Sequence, residues 1–471
     1  MNRLKRMKYV FAMVMVFAAC QARAAEGSQP NIIYLNADDL GVMDVSFMGD
    51  TRYHTPNLDR LAKEGMVFNN AYAPAANCAP SRAACLSGQA APRTGVYTVG
   101  SSARGDVKTR KLIPALNTAH LSNNGITIAD ELKAAGYVTC QIGKWHVGKD
   151  PTKQGVDVNI AGSHWGQPKS YFSPYQNPHL PDGPKGEYLT DRLTDEAIKF
   201  IGSVKGQPFF LYFPYYTVHT PLQGRLDLLA KYRKLKTGGV QINYAAMVEA
   251  LDENVGRLLD YLDEAGLRDN TLVVFTSDNG GIRNISRQNP WRSGKGAYYE
   301  GGIRVPLTIR WPGKIEAGSV CDALVSGLDI YPTFLDAVGT KPSPQKALDG
   351  VSLIPLLTQK GTVAERALYW HFPIYLQSYS NDDESRDPLF RTRPGSAMRF
   401  GQWKLHHYFE DDAFELYDLA KDAGERNNLA ESMPEKLGEL KKMLNAWRTA
   451  LNAPIPTQLN PKYDPNLKKD K

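Results

Sequence analysis

Four apolar runs, each followed at once by residues with chemistry to offer, constrain this chain more than any other feature. Asn31 to Leu35 (NIIYL) leads into Asp38-Asp39, and Tyr137 to Ile142 (YVTCQI) leads into Lys144 and His146. Phe209 to Tyr216 (FFLYFPYY) leads into His219, and Thr271 to Thr276 (TLVVFT) leads into Asp278-Asn279. Runs without polar alternation are the pattern of strands buried on both faces. Helical stretches lie between them: Ile128 to Ala135, stopped by Gly136, then Thr190 to Val204, then Ile242 to Ala265. The last carries apolar residues at 247, 251, 255, 258, 259 and 262, which is helical spacing. Strands alternating with helices predict an α/β fold, a large mixed and mostly parallel sheet sandwiched by helices. Ligands bind such sheets beyond the carboxyl ends of the strands, so four reactive ends along one edge predict a single active site.

The pattern changes after about Arg366. Ala367 to Phe372, Ala397 to Phe400, Lys404 to Tyr408 and Phe414 to Leu419 read as short antiparallel strands, and Glu435 to Leu451 as an amphipathic helix. These predict a smaller C-terminal α+β subdomain that completes the substrate cleft. Tyr379 to Pro394 is polar and contains proline, so a loop is expected there. The tail after Pro454 is expected to lie along the surface or fray. The division is 1–24 leader, 25–365 catalytic domain and 366–471 C-terminal subdomain.

Residues 1–24 have the form of a secretion signal: a basic start at Arg3, Lys5, Arg6 and Lys8, an apolar stretch, and Ala22-Arg23-Ala24 as a small-residue cleavage site. Phe17-Ala18-Ala19-Cys20 also loosely resembles a bacterial lipobox, which would attach lipid at Cys20. The expected location is the periplasm or the exterior, with an outer-membrane lipoprotein as the variant. The formal charge of +7 depends on this leader; without its five basic residues it falls to +2, which removes the main support for a nucleic-acid partner. No later run is apolar for the length a membrane span needs. Export would expose Cys78, Cys85, Cys140 and Cys321 to an oxidising compartment, where two disulfides are the plain expectation. Cys140 and Cys321 could form one; sequence does not decide the pairing.

Asp38, Asp39, Asp278 and Asn279 offer oxygen donors, three of them anionic, that suit a hard cation such as Ca²⁺ first and Mg²⁺ second. Either pair alone would serve as an ordinary helix cap. Asn77-Cys78-Ala79-Pro80-Ser81-Arg82 reads as a helix start, with Pro80 in the first turn. A nucleophile there sits among free N–H groups that favour an oxyanion. Arg82, one turn on, could fork onto a tetrahedral anion. Lys144, His146, His219 and Lys295 would add charge and proton transfer.

These residues stand in longer patterns. Cys78-Ala79-Pro80-Ser81-Arg82-Ala83-Ala84-Cys85-Leu86-Ser87-Gly88 resembles the signature of the formylglycine-dependent sulfatases, of the Cys type, in the alkaline-phosphatase-like superfamily. Asn36-Ala37-Asp38-Asp39-Leu40-Gly41 and Gly143-Lys144-Trp145-His146-Val147-Gly148 resemble further family blocks. So do His219-Thr220-Pro221, Thr276-Ser277-Asp278-Asn279-Gly280, Gly294-Lys295-Gly296, Leu416-Tyr417-Asp418-Leu419 and Glu425-Arg426-Asn427-Asn428-Leu429. The resemblance covers roughly residues 30–445. It implies a sulfuric ester hydrolase whose Cys78 is oxidised by a separate maturation enzyme to Cα-formylglycine (3-oxoalanine), the hydrate of which attacks sulfur. It implies one divalent metal on Asp38, Asp39, the modified Cys78, Asp278 and Asn279. Arg82, Lys144 and Lys295 would hold hydrate and sulfate oxygens. His219 would protonate the leaving alcohol, and His146 would take the second hydrate proton to expel sulfate.

Specificity would come from loops around the sulfate pocket. Candidates are Arg104, His164, Trp165, His179, Arg283, Trp291, Arg292, His371, Arg391 and Arg393, since basic forks and aromatic faces suit an anionic sugar. Export and family habit rank a sulfated polysaccharide or its oligosaccharides first. Within that class an algal galactan such as carrageenan leads, with glycosaminoglycan or mucin glycan second. A small aryl or alkyl sulfate comes after these. Three rivals stand against this reading. A phosphoryl-transfer hydrolase of the same superfamily would carry Ser or Thr in place of Cys78. A non-catalytic glycan-binding relative would have no use for His219 as an acid. A thiol redox pair of Cys78 and Cys85 lacks the Cys-x-x-Cys spacing.

Overall fold

The computed structural model describes residues 29–49, 51–123, 125–234, 241–379 and 384–467. The leader, with Cys20, lies outside them. In chain order the strands are β1 (Asn31–Ala37), β2 (Met66–Phe68), β3 (Ala71–Tyr72), β4 (Val138–Ile142), β5 (Val158–Ile160), β6 (Phe209–Pro214), β7 (Thr271–Ser277) and β8 (Leu307–Arg310). They continue as β9 (Ser319–Cys321), β10 (Val325–Ser326), β11 (Leu368–Phe372), β12 (Leu376–Gln377), β13 (Phe390–Thr392), β14 (Gly395–Phe400), β15 (Trp403–Tyr408) and β16 (Ala413–Asp418). The main sheet has eight strands in the order β5-β4-β6-β1-β7-β8-β2-β9. Only β8 runs against its neighbours; the other pairings are parallel.

β1 lies in the middle of the sheet and shows why its apolar run has no polar alternation. Ile33, Leu35 and Ala37 enter one core, packed with helices Pro56–Lys63, Leu189–Ser203 and Ile242–Glu264. Ile32 and Tyr34 enter the opposite core, with helices Cys78–Ser87, Ile128–Ala134 and Ile330–Ala337. Successive strand residues face opposite sides, so a sheet covered on both faces needs apolar residues at every position.

The C-terminal sheet is antiparallel, in the order β11-β14-β15-β16. Helix Pro434–Ala450 covers it with Leu440 and Leu444 against Met398, Leu405 and Leu416. Ionic contacts tie this sheet to the rest. Lys404 Nζ on β15 lies 2.8 Å from Glu300 Oε1 and 3.6 Å from Glu425 Oε1, all three side chains being 0% exposed. Tyr72 OH donates to Glu300 Oε2 at 2.6 Å, and the Glu300 N–H donates to Glu425 Oε2 at 2.6 Å. Burial drives Glu425 upward, only partly countered by Lys404, to about 7.

Two expectations are corrected. The polar stretch Tyr379 to Pro394 contains β13, which pairs with β12 and had no apolar pattern to announce it. The four described cysteines are free: Cys140 on β4 and Cys321 on β9 stand six strands apart, on the order of 29 Å at the usual spacing. The tail after Pro454 lies along the surface, the first of the two courses expected for it. Leu459 bridges to Leu112, and Asn460 Nδ2 donates to the carbonyls of Val107 and Arg110, both at 2.7 Å. No helix among the described residues is long and apolar enough to cross a membrane.

Replacing Lys404 by Met would take the lysine from two buried carboxylates, leaving Glu300 to Arg304 and Arg399 and Glu425 to His406. We expect Lys404→Met to cost about 3–5 kcal/mol in urea unfolding. A loss under about 1 kcal/mol would show that this cluster does not fasten the C-terminal sheet.

Candidate active site

Strand register brings the acids to one level. Ala37 pairs with Ser277, and Asn36 with Pro214. The ladder then continues one step beyond the strands: Asp278 N donates to Ala37 O at 3.1 Å, Asp38 N to Thr217 O at 3.0 Å, and Val218 N to Asp38 O at 2.8 Å. Asp38, Asp278 and the His219 turn are therefore fixed to one another by backbone. Asp39 adopts φ 62°, and its N–H donates to Asp278 Oδ1 at 3.1 Å. Lys144 arrives from β4 through Gly143, whose φ is 107° and whose added Cβ would lie 2.2 Å from Pro214 O. Only glycine fits that close approach.

Helix Cys78–Ser87 presents its N-terminus to these acids. All ten of its residues are buried, and its alanines let it seat closely. Arg82 and Lys144 are 0% exposed and Cys78 is 2% exposed. Arg82 grips Asp278 Oδ2 with Nε at 2.9 Å and Nη2 at 2.8 Å, and Nη1 donates to Lys144 O at 3.0 Å. Lys144 Nζ donates to Asp38 Oδ2 at 2.6 Å, and Lys295 Nζ to Asp39 Oδ2 at 2.7 Å. Asn279 Nδ2 donates to Asp39 Oδ1 at 2.8 Å. Cys78 Sγ faces Asp39 Oδ1 at 4.0 Å, and His219 Nε2 lies 3.6 Å from Asp39 Oδ2. His219 Nδ1 lies 2.8 Å from Thr220 O, which can only accept. Nδ1 therefore carries the hydrogen, and Nε2 is the atom turned to the acids.

The electrostatics differ group by group. Burial pushes Asp39 up, but Lys295, His219 and Lys144 outweigh it and hold the carboxylate well below its usual range. Burial wins at Asp38, with Lys144 countering only part of it. Burial also raises the Cys78 thiol, yet Lys144 and Lys295 bring it down to about 6. The two histidines part company. Burial, then Lys144, Arg82 and Lys295, keep His146 neutral. Burial and Lys295 oppose charge on His219, but Asp38 and Asp39 prevail and raise it.

A divalent cation fits this donor set. Asp38 Oδ1 and Asn279 Oδ1 are buried without a hydrogen-bond partner, the signature of oxygens built for something else. Asp38, Asp39, Cys78 and His219 each offer a ligand atom within 4.8 Å of the others'. Asp38, Asp39, Asp278 and Asn279 would supply oxygen atoms, which favours Ca²⁺ or Mg²⁺.

Above Cys78 opens a cleft of about 680 Å³, with His146, His219 and Lys295 at its floor. Of the specificity candidates, Arg104 lines it. The rest stand elsewhere. Arg283 pairs with Glu384, and Trp291 packs under the Arg304 guanidinium at 4.2 Å. Arg292 donates to Glu425 O at 2.9 Å, and Arg393 Nη1 to Glu410 Oε2 at 2.6 Å. His371 is buried between Ser396 Oγ at 2.8 Å and Pro454 O at 3.0 Å, and burial lowers it to about 3. His164 and His179 are exposed and, like the half-buried Trp165, are not among the lining residues. Arg391 sits behind the wall, donating to Lys295 O at 2.7 Å. Sequence reasoning passed over Asn77, Val99, Gln167, Thr220, Asn284 and Tyr379, which do line the cleft. Asn77 and Thr220 adjoin motif residues, which was a usable signal; the others carried none.

The chain belongs to the sulfatase family and is a sulfuric ester hydrolase. The family described as Sulfatase matches residues 30–340, and the family described as N-sulphoglucosamine sulphohydrolase, C-terminal, matches residues 293–450. A sulfatase of Formosa agariphila is 34% identical, covering 93% of this chain and 92% of the relative. The N-acetylgalactosamine-6-sulfatase of Mus musculus is also 34% identical, covering 87% of this chain and 78% of the relative. Among solved structures, Ps i-CgsB superposes with a TM-score of 0.74 at 29% identity, covering 92% of this chain and 95% of that one.

A cation bound only by the folded site stabilises it, by about 2.7 kcal/mol at a hundredfold excess over its Kd. Ca²⁺ added to chelator-treated protein should raise the melting temperature, and Asp38→Asn should abolish the rise. An equal rise in Asp38→Asn would place the ion elsewhere.

Proposed function

We propose that this sulfatase removes sulfate from sulfated carbohydrates through a formylglycine formed at Cys78. One observation carries the reading: Cys78 sits at a helix N-terminus on the cleft floor, within a buried ring of three acids and three cations. As a formylglycine, position 78 supplies a hydrated aldehyde oxygen that attacks the ester sulfur. A divalent cation held by Asp38, Asp39, Asp278 and Asn279 would supply positive charge at this site.

The chain's own residues do the rest. Arg82, fixed by Asp278, and Lys144, fixed by Asp38, hold their positive charges in place without further reorganisation. Lys295 extends this grip to the cleft floor. His219 gives the proton to the leaving alcohol from Nε2, since its Nδ1–H is held by Thr220 O. His146, kept neutral by burial among cations, accepts a proton on the way to sulfate release.

The carbohydrate class rests on similarity. Ps i-CgsB has been solved with k-i-k-neocarrahexaose. A second similar structure, at 26% identity, holds D-glucosamine-2-N,6-O-disulfate. A sulfated galactan oligosaccharide ranks first, glycosaminoglycan or mucin fragments second, and a small aryl or alkyl sulfate third. On this reading residues 1–24 direct the chain to the periplasm or beyond, where such glycans are met, and a separate enzyme matures Cys78.

The tryptic peptide Glu64–Arg82 from the native host should show an aldehyde in place of the Cys78 thiol, and Cys78→Ala should release no sulfate from any glycan. Turnover by Cys78→Ala would sink the mechanism. Glycan binding without turnover by fully matured protein would favour a binding protein instead.

His219→Ala should slow alkyl and sugar sulfates at least about a hundredfold more than an activated aryl sulfate, because only poor leaving groups need the proton. Equal losses would remove His219 from the acid's role.

A further inference from the structure

The cleft holds one cationic side chain that the chemistry at its floor does not employ. Arg104 lines the wall, half-buried, and no carboxylate, carbonyl or hydroxyl of the described residues pairs with it. The neighbouring arginines are all committed: Arg82 to Asp278, Arg283 to Glu384, Arg391 to Lys295 O and Arg393 to Glu410. The backbone of Arg104 is fixed as firmly as its head is uncommitted. The Arg110 guanidinium donates to the carbonyls on either side, those of Ala103 and Gly105. Ala103 bridges to Tyr375, whose N–H donates to Ser102 O at 2.8 Å. Gly105 has φ 84°, and a Cβ there would lie 2.7 Å from the Phe390 ring. The loop is therefore pinned on both flanks against β12 and β13.

Such a presentation is costly to waste. A guanidinium offers planar, paired donors matched to sulfate and carboxylate, and a fixed carrier loses little freedom on binding. The same cleft is lined by apolar Val99, Ile282 and Ile285 and by the Tyr379 ring. That ring is itself backed by the Arg391 guanidinium, 3.3 Å from its centroid. An apolar wall suits the C–H face of a sugar, with one sulfate on the floor and a second charge at the wall.

We propose that Arg104 determines specificity by binding a second anionic group, a sulfate or a carboxylate, on the saccharide that carries the scissile sulfate. The proposal rests on the reading of this cleft as a carbohydrate sulfatase site. It favours doubly anionic saccharides over singly sulfated neutral ones and over simple aryl sulfates.

Calorimetric titration of the Cys78→Ala protein, which would hold a saccharide without turning it over, tests binding apart from catalysis. Three disaccharide probes share one backbone: singly sulfated, doubly sulfated, and sulfated with one carboxylate. At least one doubly anionic probe should bind about tenfold tighter than the singly sulfated one, and the advantage should shrink with added salt. Which probe wins distinguishes sulfate from carboxylate as the second group. Arg104→Ala in the same background should erase most of the advantage, and Arg104→Lys should keep part of it. Arg104→Gln replaces Arg104→Ala if the latter fails to melt like its parent. Equal binding of all three probes, or a preference that survives the loss of Arg104, overturns the proposal. Sulfate release by the matured wild type is scored separately, so failure of the sulfatase reading is distinguishable from failure of the second anion site.

Discussion

The structure turns on a charge balance at the end of the main sheet. Asp38, Asp39 and Asp278 share a water-poor volume with Arg82, Lys144 and Lys295, and each acid touches its own cation. No member could be buried alone, since an unpaired ion in such a place costs several kcal/mol. Together they leave a site near neutrality, with Asp38 Oδ1 and Asn279 Oδ1 still unsatisfied. A divalent ion added to that set makes the site net positive. On the proposed reading, such a site would attract both a sulfate ester and an anionic nucleophile, which would otherwise repel one another.

That balance requires the acids to stay level, and the sheet provides this through backbone alone. Because the ladder runs past β1 into Thr217 and Asp278, the carboxylates are placed by register and not by side-chain packing. This part was legible in the sequence. The runs at 31, 137, 209 and 271 were apolar without alternation, and that pattern belongs to strands covered on both faces. The helices that were read had limits within a residue or so, as at Ile242–Glu264, because apolar spacing marks a buried helical face. β13 was not legible: its side chains serve the Lys295 loop, with Arg391 donating to Lys295 O and Thr392 to Gly296 O. A strand that works for a neighbouring loop shows no period of its own.

The site divides in the same way. Residues inside long motifs converge on one cleft: Cys78, His146, His219 and Lys295 all line it. The loop candidates scatter, because a basic or aromatic residue carries no mark of whether it faces ligand or protein. Arg292 is consumed by Glu425 O and Tyr417, Arg393 by Asp387 and Glu410, and His371 by Ser396 and Pro454 O. Position in the cleft and lack of a partner among the described residues separate Arg104 from these, and both are properties of the folded chain. The blocks at 416–419 and 425–429 likewise prove architectural, since Glu425 anchors the Glu300 backbone.

The burial of the helix that begins at Cys78 would also set a chronology for the proposed maturation. Cys78, Pro80, Ser81 and Arg82 are all buried, and the cleft opens onto Cys78. A small molecule could enter that cleft, but a catalyst that must grasp the flanking residues could not. Any enzyme that rewrites Cys78 by recognising its neighbours therefore meets them before the sheet closes over them. On the proposed reading, editing of Cys78 would have to come first and collapse second, with no later opportunity for repair.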